Sequence, residues 1–414
     1  MSTSPTLARR LGTADAVFIG LGSMIGAGVF AAFAPAAQAA GAGLLVGLLV
    51  AAVIATCNAL ASAQLAAQHP TSGGTYVYGR ERLGPWWGYL AGWSFVVGKT
   101  ASCAAMALTF AAYAVPEPWQ KPVAVAAVLA LAAVNYRGVI RTAQVARVIV
   151  VLVLASLVVA VAAAGASGAQ HFGELGLGGI GAYGILQSAG LLFFAFAGYA
   201  RIATMGEEVR DPQRTIPRAI VIALSIAIVV YGVIAVTLLA TLGPSGVAGS
   251  TAPVRDAALA GGVTWAGPVV TVGAALAALG ALLALIAGIG RTTLAMAREG
   301  DLPRWLSAVH PRFKVPHRAE LVLAVVVSVL VLTIDLRGAI GFSSFGVLLY
   351  YFVANLAAFT QRRRRALYVL GGVGCVVLVA TLPWQSITGG MIVLAAGFLY
   401  RIVRLRATAS KGTP

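Results

Sequence analysis

The sequence predicts an all-α polytopic membrane protein, and three observations carry that prediction. Of 414 residues, 60% are hydrophobic and only 10% charged, against roughly a quarter charged in an average soluble domain. Mean hydropathy is +0.91. Apolar runs recur along the chain, each near the ~20 residues that a helix needs to cross a hydrocarbon core.

Reading those runs between Arg, Pro and Gly-rich breaks gives twelve spans. They are 15–38, 43–65, 86–114, 122–135, 145–165, 184–206, 219–243, 264–290, 319–336, 338–361, 366–383 and 386–403. The ninth and tenth are separated only by Asp335-Leu336-Arg337, so ten or eleven crossings remain open. Every intervening loop is short, which leaves no room for a soluble domain. The polar start, Met1 to Arg10, runs into a long apolar segment, and no cleavable signal is expected.

The net charge of +17 invites a nucleic-acid reading, but the positions argue for topology instead. Of the 29 Lys and Arg, 25 fall in loops of one parity. The other side holds only Lys121, Arg255 and Arg337. Positive loops face the cytoplasm, so both termini are expected there, in the cell membrane and with no nucleic-acid partner. Cys57, Cys103 and Cys375 all lie in apolar stretches and read as packing residues rather than as a disulfide framework. The four histidines show no metal-ligand spacing, and no cofactor or metal is expected.

Two spans are interrupted. The first carries Gly22-Ser23-Met24-Ile25-Gly26-Ala27-Gly28, and the sixth carries Phe194-Ala195-Phe196-Ala197-Gly198. They are five places apart in the order of spans, so they cross in opposite directions, a pattern that points to a central site between inverted halves. Close helix packing is an equally ordinary use of small residues. The alternative is an unwound backbone whose N–H groups hold a carboxylate and whose carbonyls receive an ammonium. Irregular backbone at membrane depth is tolerated only where it lines a cavity or is buried in protein.

These stretches carry a resemblance. Gly22 to Phe30 is similar to the first-helix signature of the amino acid–polyamine–organocation superfamily, in its amino acid permease branch. Pro70-Thr71-Ser72-Gly73-Gly74-Thr75-Tyr76, continuing to Gly92-Trp93, resembles that family's next conserved block, and Asn135 to Val139 resembles another. The most specific matches are Gly206-Glu207-Glu208-Val209-Arg210-Asp211-Pro212 with Ile216 to Ala219, and Ala295 to Pro303. The resemblance implies a LeuT-like fold of two inverted five-helix repeats, 11–165 and 184–361. Discontinuous first and sixth helices, and peripheral eleventh and twelfth helices over 366–403, come with it. It also implies an amino-acid site in which amides around Gly26, Ala27 and Gly28 hold the carboxylate. Carbonyls of Met24, Phe194 and Ala197 would receive the amine, with Phe194 as an aromatic lid. Glu207 and Glu208 would form a cytoplasmic gate or latch. A leucine at position 28 is expected to fill the carboxylate position.

Lys99 stands apart, about 13 residues into the third span. Its stem cannot reach water from there, and a charge at the bilayer centre costs ~2.5–3.5 kcal/mol even on the lenient insertion scale. No acidic residue lies at that depth, so it must face a hydrated cavity, meet backbone carbonyls, or be neutral. It is read as the coupling residue, as a substrate contact, or as structural. The fifth span, Val148 to Ala164, lacks the lysine of proton-coupled relatives, with Val153 or Leu154 in its place. Val272 to Gly290 has no Ser or Thr with which to ligate sodium.

The expected activity is secondary transport of amino acids, neutral rather than dibasic, coupled to a proton or by exchange. Lipid surrounds it, and its oligomeric state is not legible. A polyamine or other organic amine carrier is the nearest alternative. A channel-like pore is another, although no ring of ligands is visible. No catalytic constellation is present, so an enzyme is not expected.

Overall fold

A computed structural model describes residues 11–409, apart from 69–72, 139–142, 167, 169, 170, 172, 174–180, 207, 362 and 363. Glu207 and the segment from Pro70 to Ser72 therefore lie outside the described residues. Helices occupy all twelve expected spans. The first comprises Thr13–Met24, Gly28–Ala31 and Phe33–Ala40, and the second Leu44–Gln68. The third to fifth are Pro85–Ala114, Glu117–Tyr136 and Ala143–Gly165. The sixth joins Ala182–Phe196 to Ala200–Ala203 through a short 3-10 turn. The seventh to tenth are Pro212–Gly249, Ala266–Arg298, His317–Thr333 and Leu336–Phe359, followed by Arg365–Thr381 and Trp384–Ala409.

Nine membrane-crossing segments among the described residues pass a test of length and apolarity alone. The fourth, ninth and eleventh helices do not. Glu117, Gln120 and Lys121 dilute the fourth, while the ninth and eleventh have 17 residues each. The seventh span ends in sequence at Gly243, and there the helix kinks: Gly243 has φ +69°, a left-handed value that glycine adopts without strain, just before Pro244. The turn between the ninth and tenth helices works with few residues because Asp335 caps the tenth, accepting the Gly338 N–H at 2.8 Å. Two short helices inside loops, Gly74–Leu83 and Pro253–Ala260, have no counterpart in the hydropathy reading.

Small residues set the packing. Gly98 on the third helix and Gly346 on the tenth bring two backbones together, and a Cβ on Gly346 would lie 2.7 Å from the Gly98 Cα. The third helix packs on the eighth and tenth, the fifth on the eighth, the second on the sixth and seventh, and the first on the seventh. The fourth packs on the ninth. This pattern maps onto itself when each of the first five helices is exchanged with its counterpart five places on. The first–seventh contact becomes sixth–second, and third–tenth becomes eighth–fifth.

The twelfth helix is tied to the bundle by charge. Arg401, counted in sequence as a loop cation, is drawn into the helix and only 6% exposed. It meets Asp301 at 2.6 Å, while its guanidinium lies over the rings of Trp86 and Tyr89. Asp301 also receives Arg80 at 3.2 Å and the Tyr76 hydroxyl at 2.8 Å. Burial and the neighbouring Asp301 push the Tyr76 phenol above its ordinary value, so it remains a donor through neutral and mildly alkaline pH. Removing Asp301 would strand a buried guanidinium. Asp301→Ala should destabilise the folded protein by about 3–5 kcal/mol. A thermal-unfolding scan in detergent checks this, and an unchanged midpoint would show that the cluster contributes nothing.

Candidate functional site

The two interruptions meet at the centre of the bundle. The first helix stops at Met24, Ile25 caps it with an N–H to Leu21 O, and the helix restarts at Gly28. Among the described residues, the amides of Gly26, Ala27, Gly28 and Val29 donate to no carbonyl or side chain. A restarting helix with outward N–H groups favours an anion.

Glycine lets the breaks touch. A Cβ on Gly28 would lie 2.6 Å from the Ala195 Cα, and one on Gly198 would collide with the Ser23 carbonyl. This corrects the expectation for position 28: a side chain there runs into the sixth helix rather than filling the carboxylate position. Gly26 faces Ala281 of the eighth helix, 2.8 Å from a would-be Cβ.

The carbonyls freed at the breaks have protein donors. The Tyr231 hydroxyl, from the seventh helix, lies 2.6 Å from Met24 O and 2.9 Å from Ala195 O, linking the two interruptions through one group. Its ring meets Phe196 edge-on. Phe194 O accepts the Ala197 N–H. Ala197 O accepts both the Lys99 ammonium and the Tyr351 hydroxyl, each at 3.2 Å. A carbonyl has two lone pairs, so Ala197 O is fully engaged, whereas Met24 O and Phe194 O each retain capacity.

Lys99 thus meets a backbone carbonyl, one of the three options open to it. It is 6% exposed, and among the described residues no ion pair involves it. Three residues further on, Ser102 and Ser343 lie 2.6 Å apart, hydroxyl to hydroxyl, where the third and tenth helices converge. Ser344, beside them, is fully buried. Phe194 is buried as well, packed in the core.

Next to the first break, Gly22, Ile25 and Gly26 line a small cavity with Val150, Val153 and Ala277. Its side chains are aliphatic throughout, so only backbone oxygen is at hand for a hard cation.

At the end of the sixth helix, Arg201 pairs with Glu208 at 3.5 Å. A short bridge joins Leu11 to Val209, with Leu11 N–H to Glu208 O at 3.1 Å and Arg210 N–H to Leu11 O at 2.9 Å. The chain preceding the first helix is thereby tethered to the end of the sixth. Glu207, the other expected gate residue, lies outside the described residues. No group of three or more His, Cys, Asp or Glu gathers among those described, and Cys57, Cys103 and Cys375 are free and buried.

Tyr231, Tyr351 and Ser102 escaped the sequence reading. A tyrosine within an apolar span was the available signal, because a buried phenol must find an acceptor.

The comparisons with known proteins agree with this architecture. The model of the family described as "Amino acid permease" matches residues 11–405. An uncharacterized transporter of Mycobacterium tuberculosis is 60% identical over 411 residues, covering 97% of this chain and 93% of that protein. A branched-chain amino acid permease of Bacillus subtilis is 25% identical, over 96% of this chain and 94% of its own length. Human cationic amino acid transporter 4 is 29% identical, over 86% of this chain and 60% of its own length. Interrupted helices meeting in a polytopic bundle, together with a family match along almost the whole chain, make one assignment: this chain belongs to the amino acid permease family of membrane transporters.

Proposed function

We propose that the protein carries neutral amino acids across the cell membrane by alternating access, with both termini cytoplasmic. The observation that carries this reading is the meeting of two oppositely directed helix breaks. One presents amides at Gly26, Ala27 and Gly28 that have no protein acceptor among the described residues, and the other presents carbonyls at Phe194 and Ala197. Such poles match the carboxylate and the ammonium of an amino acid.

The exchange symmetry of the helix contacts supports two inverted halves, 11–165 and 184–361, with the helices of 366–403 peripheral. In this reading Phe194 closes over the substrate. Glu208, paired with Arg201, latches the cytoplasmic end of the sixth helix, and Glu207, its neighbour in sequence, is assigned to the same gate. The relatives named above are a permease and transporters, which supports a carrier rather than an enzyme.

Lys99 supports a neutral substrate. A second cation of a dibasic amino acid, placed ~4 Å from its ammonium, would meet repulsion of about 4 kcal/mol at an effective dielectric of 20. The same lysine is our candidate for proton coupling, since the aliphatic cavity beside Gly26 offers sodium no side-chain oxygen. An organic amine such as a polyamine uses only the carbonyl pole and leaves the amides unused, so it is the weaker match.

Uptake of labelled amino acids into proteoliposomes under an inside-alkaline gradient tests this directly. Wild type should accumulate a neutral amino acid, Lys99→Ala should retain only gradient-independent exchange, and Lys99→Arg should not restore accumulation. Gradient-insensitive exchange in both wild type and Lys99→Ala would remove Lys99 from coupling. The link between the breaks is tested separately. Tyr231→Phe leaves Met24 O and Ala195 O without their shared donor, which should cost about 1–3 kcal/mol of stability and slow transport by about tenfold. Unchanged uptake would reduce Tyr231 to packing.

A further inference from the structure

The carbonyl pole assigned to the substrate amine already holds an amine of the protein. Ala197 O has two lone pairs, one accepting Lys99 Nζ and the other the Tyr351 hydroxyl, each at 3.2 Å. Lys99 reaches that carbonyl from another helix, 98 residues away in sequence, and is buried at the contact. An ammonium has three N–H donors, and among the described residues this one uses a single protein acceptor. It therefore sits where a substrate ammonium would sit, in the same chemical form, and on the same oxygen.

We propose that Lys99 is a built-in competitor for the amine subsite: its ammonium and the amine of the substrate exclude one another at Ala197 O, so that binding an amino acid requires Lys99 to leave that carbonyl. This rests on the amino-acid reading of the site. It goes beyond coupling, because it assigns Lys99 an effect on affinity opposite to that of an ordinary substrate contact. Two cations cannot share one carbonyl in a water-poor core, where their repulsion is poorly screened. The lysine is suited to exchange places because its charge rides on a flexible four-carbon stem with rotatable donors. An arginine, with its planar fork, would be held more firmly.

A competitor lowers apparent affinity by the fraction of molecules in which it has stepped aside. Lysine replaced by methionine keeps a stem of similar length and removes the cation. The carbonyl then loses a donor, and a substrate amine that supplies one is favoured in proportion. An α-hydroxy acid shares the carboxylate and side chain of its amino acid but brings no cation, and its hydroxyl is only a weak stand-in. The competitor account therefore predicts a gain confined largely to amines. A general enlargement of the pocket would favour both ligands alike.

The experiment is scintillation-proximity binding to the full-length protein in detergent. The probes are the labelled proteinogenic L-amino acids, with displacement by the L-2-hydroxy analogue of whichever binds. The proteins are wild type, Lys99→Met and Tyr351→Phe. Lys99→Met should bind the amino acid at least about tenfold more tightly than wild type, with a much smaller gain for the hydroxy acid. Tyr351→Phe, which frees the other lone pair of the same oxygen but leaves Lys99 in place, should not reproduce that gain, because the lysine cation still excludes the substrate amine. Lys99→Leu, which also removes the cation, provides the test if Lys99→Met fails to fold.

Weaker binding in Lys99→Met would make Lys99 a direct substrate contact and overturn the proposal. Equal binding in all three proteins would make the lysine structural, and equal gains for both ligands would make the effect one of space. Each of these results overturns the competitor while leaving the amino-acid reading intact. Failure of any protein to bind any amino acid would instead overturn the reading on which the proposal rests.

Discussion

A peptide group in the middle of a membrane must find a partner within the protein, and this bundle is organised around two places where its own helices do not supply one. Interrupting the first and sixth helices frees amides at Gly26 to Val29 and carbonyls at Met24, Ala195 and Ala197. Water cannot relieve them from the hydrocarbon side, and an unsatisfied group costs several kcal/mol there. Neighbouring helices answer the carbonyls. The seventh sends Tyr231 to two of them, while the tenth and third send Tyr351 and Lys99 to the last. The amides receive no such answer among the described residues. That imbalance gives the site its polarity: an acceptor end already met by protein donors facing an open donor end.

Much else follows from bringing those helices together. Gly28 and Gly198 allow one break to lie against the other, and Gly98 with Gly346 bring the third and tenth helices close enough for Ser102 to meet Ser343. Away from the centre, the attachments are built from ions and rings. Asp301 gathers Arg401, Arg80 and Tyr76 at one end of the bundle, joining the twelfth helix to the loop after the eighth and to the short helix Gly74–Leu83. The bridge between Leu11 and Val209 fastens the entry to the first helix onto the exit from the sixth. The two segments carrying the breaks are thus linked both at the site and at one end.

The spans and both breaks were legible in the sequence, because apolar length and glycine placement are local properties. The fourth and ninth helices were legible too, although their charged first turns dilute the hydropathy. What the breaks touch was not legible. Gly28 reads as backbone freedom, and only the fold shows that the space beside it belongs to Ala195. Lys99 announced that it needed an acceptor, but a backbone carbonyl on another helix has no residue type by which to find it. Tyr231 and Tyr351 looked like ordinary aromatic content of apolar spans. Arg401 was counted with the loop cations because Asp301, its partner, lies 100 residues earlier in the chain. Partners that depend on long-range packing are invisible to a reading that moves along the chain.

The most direct test of this account is to see what the amides of the first break hold. A cryo-electron microscopy map of the protein in lipid nanodiscs, at saturating neutral amino acid and with an antibody fragment to aid alignment, would locate the ligand. The account predicts ligand density within hydrogen-bond reach of the Gly26 to Val29 amides, with its carboxylate there and its amine toward the sixth helix. Ligand density elsewhere, or an unbroken first helix through Met24 to Gly28, would contradict it.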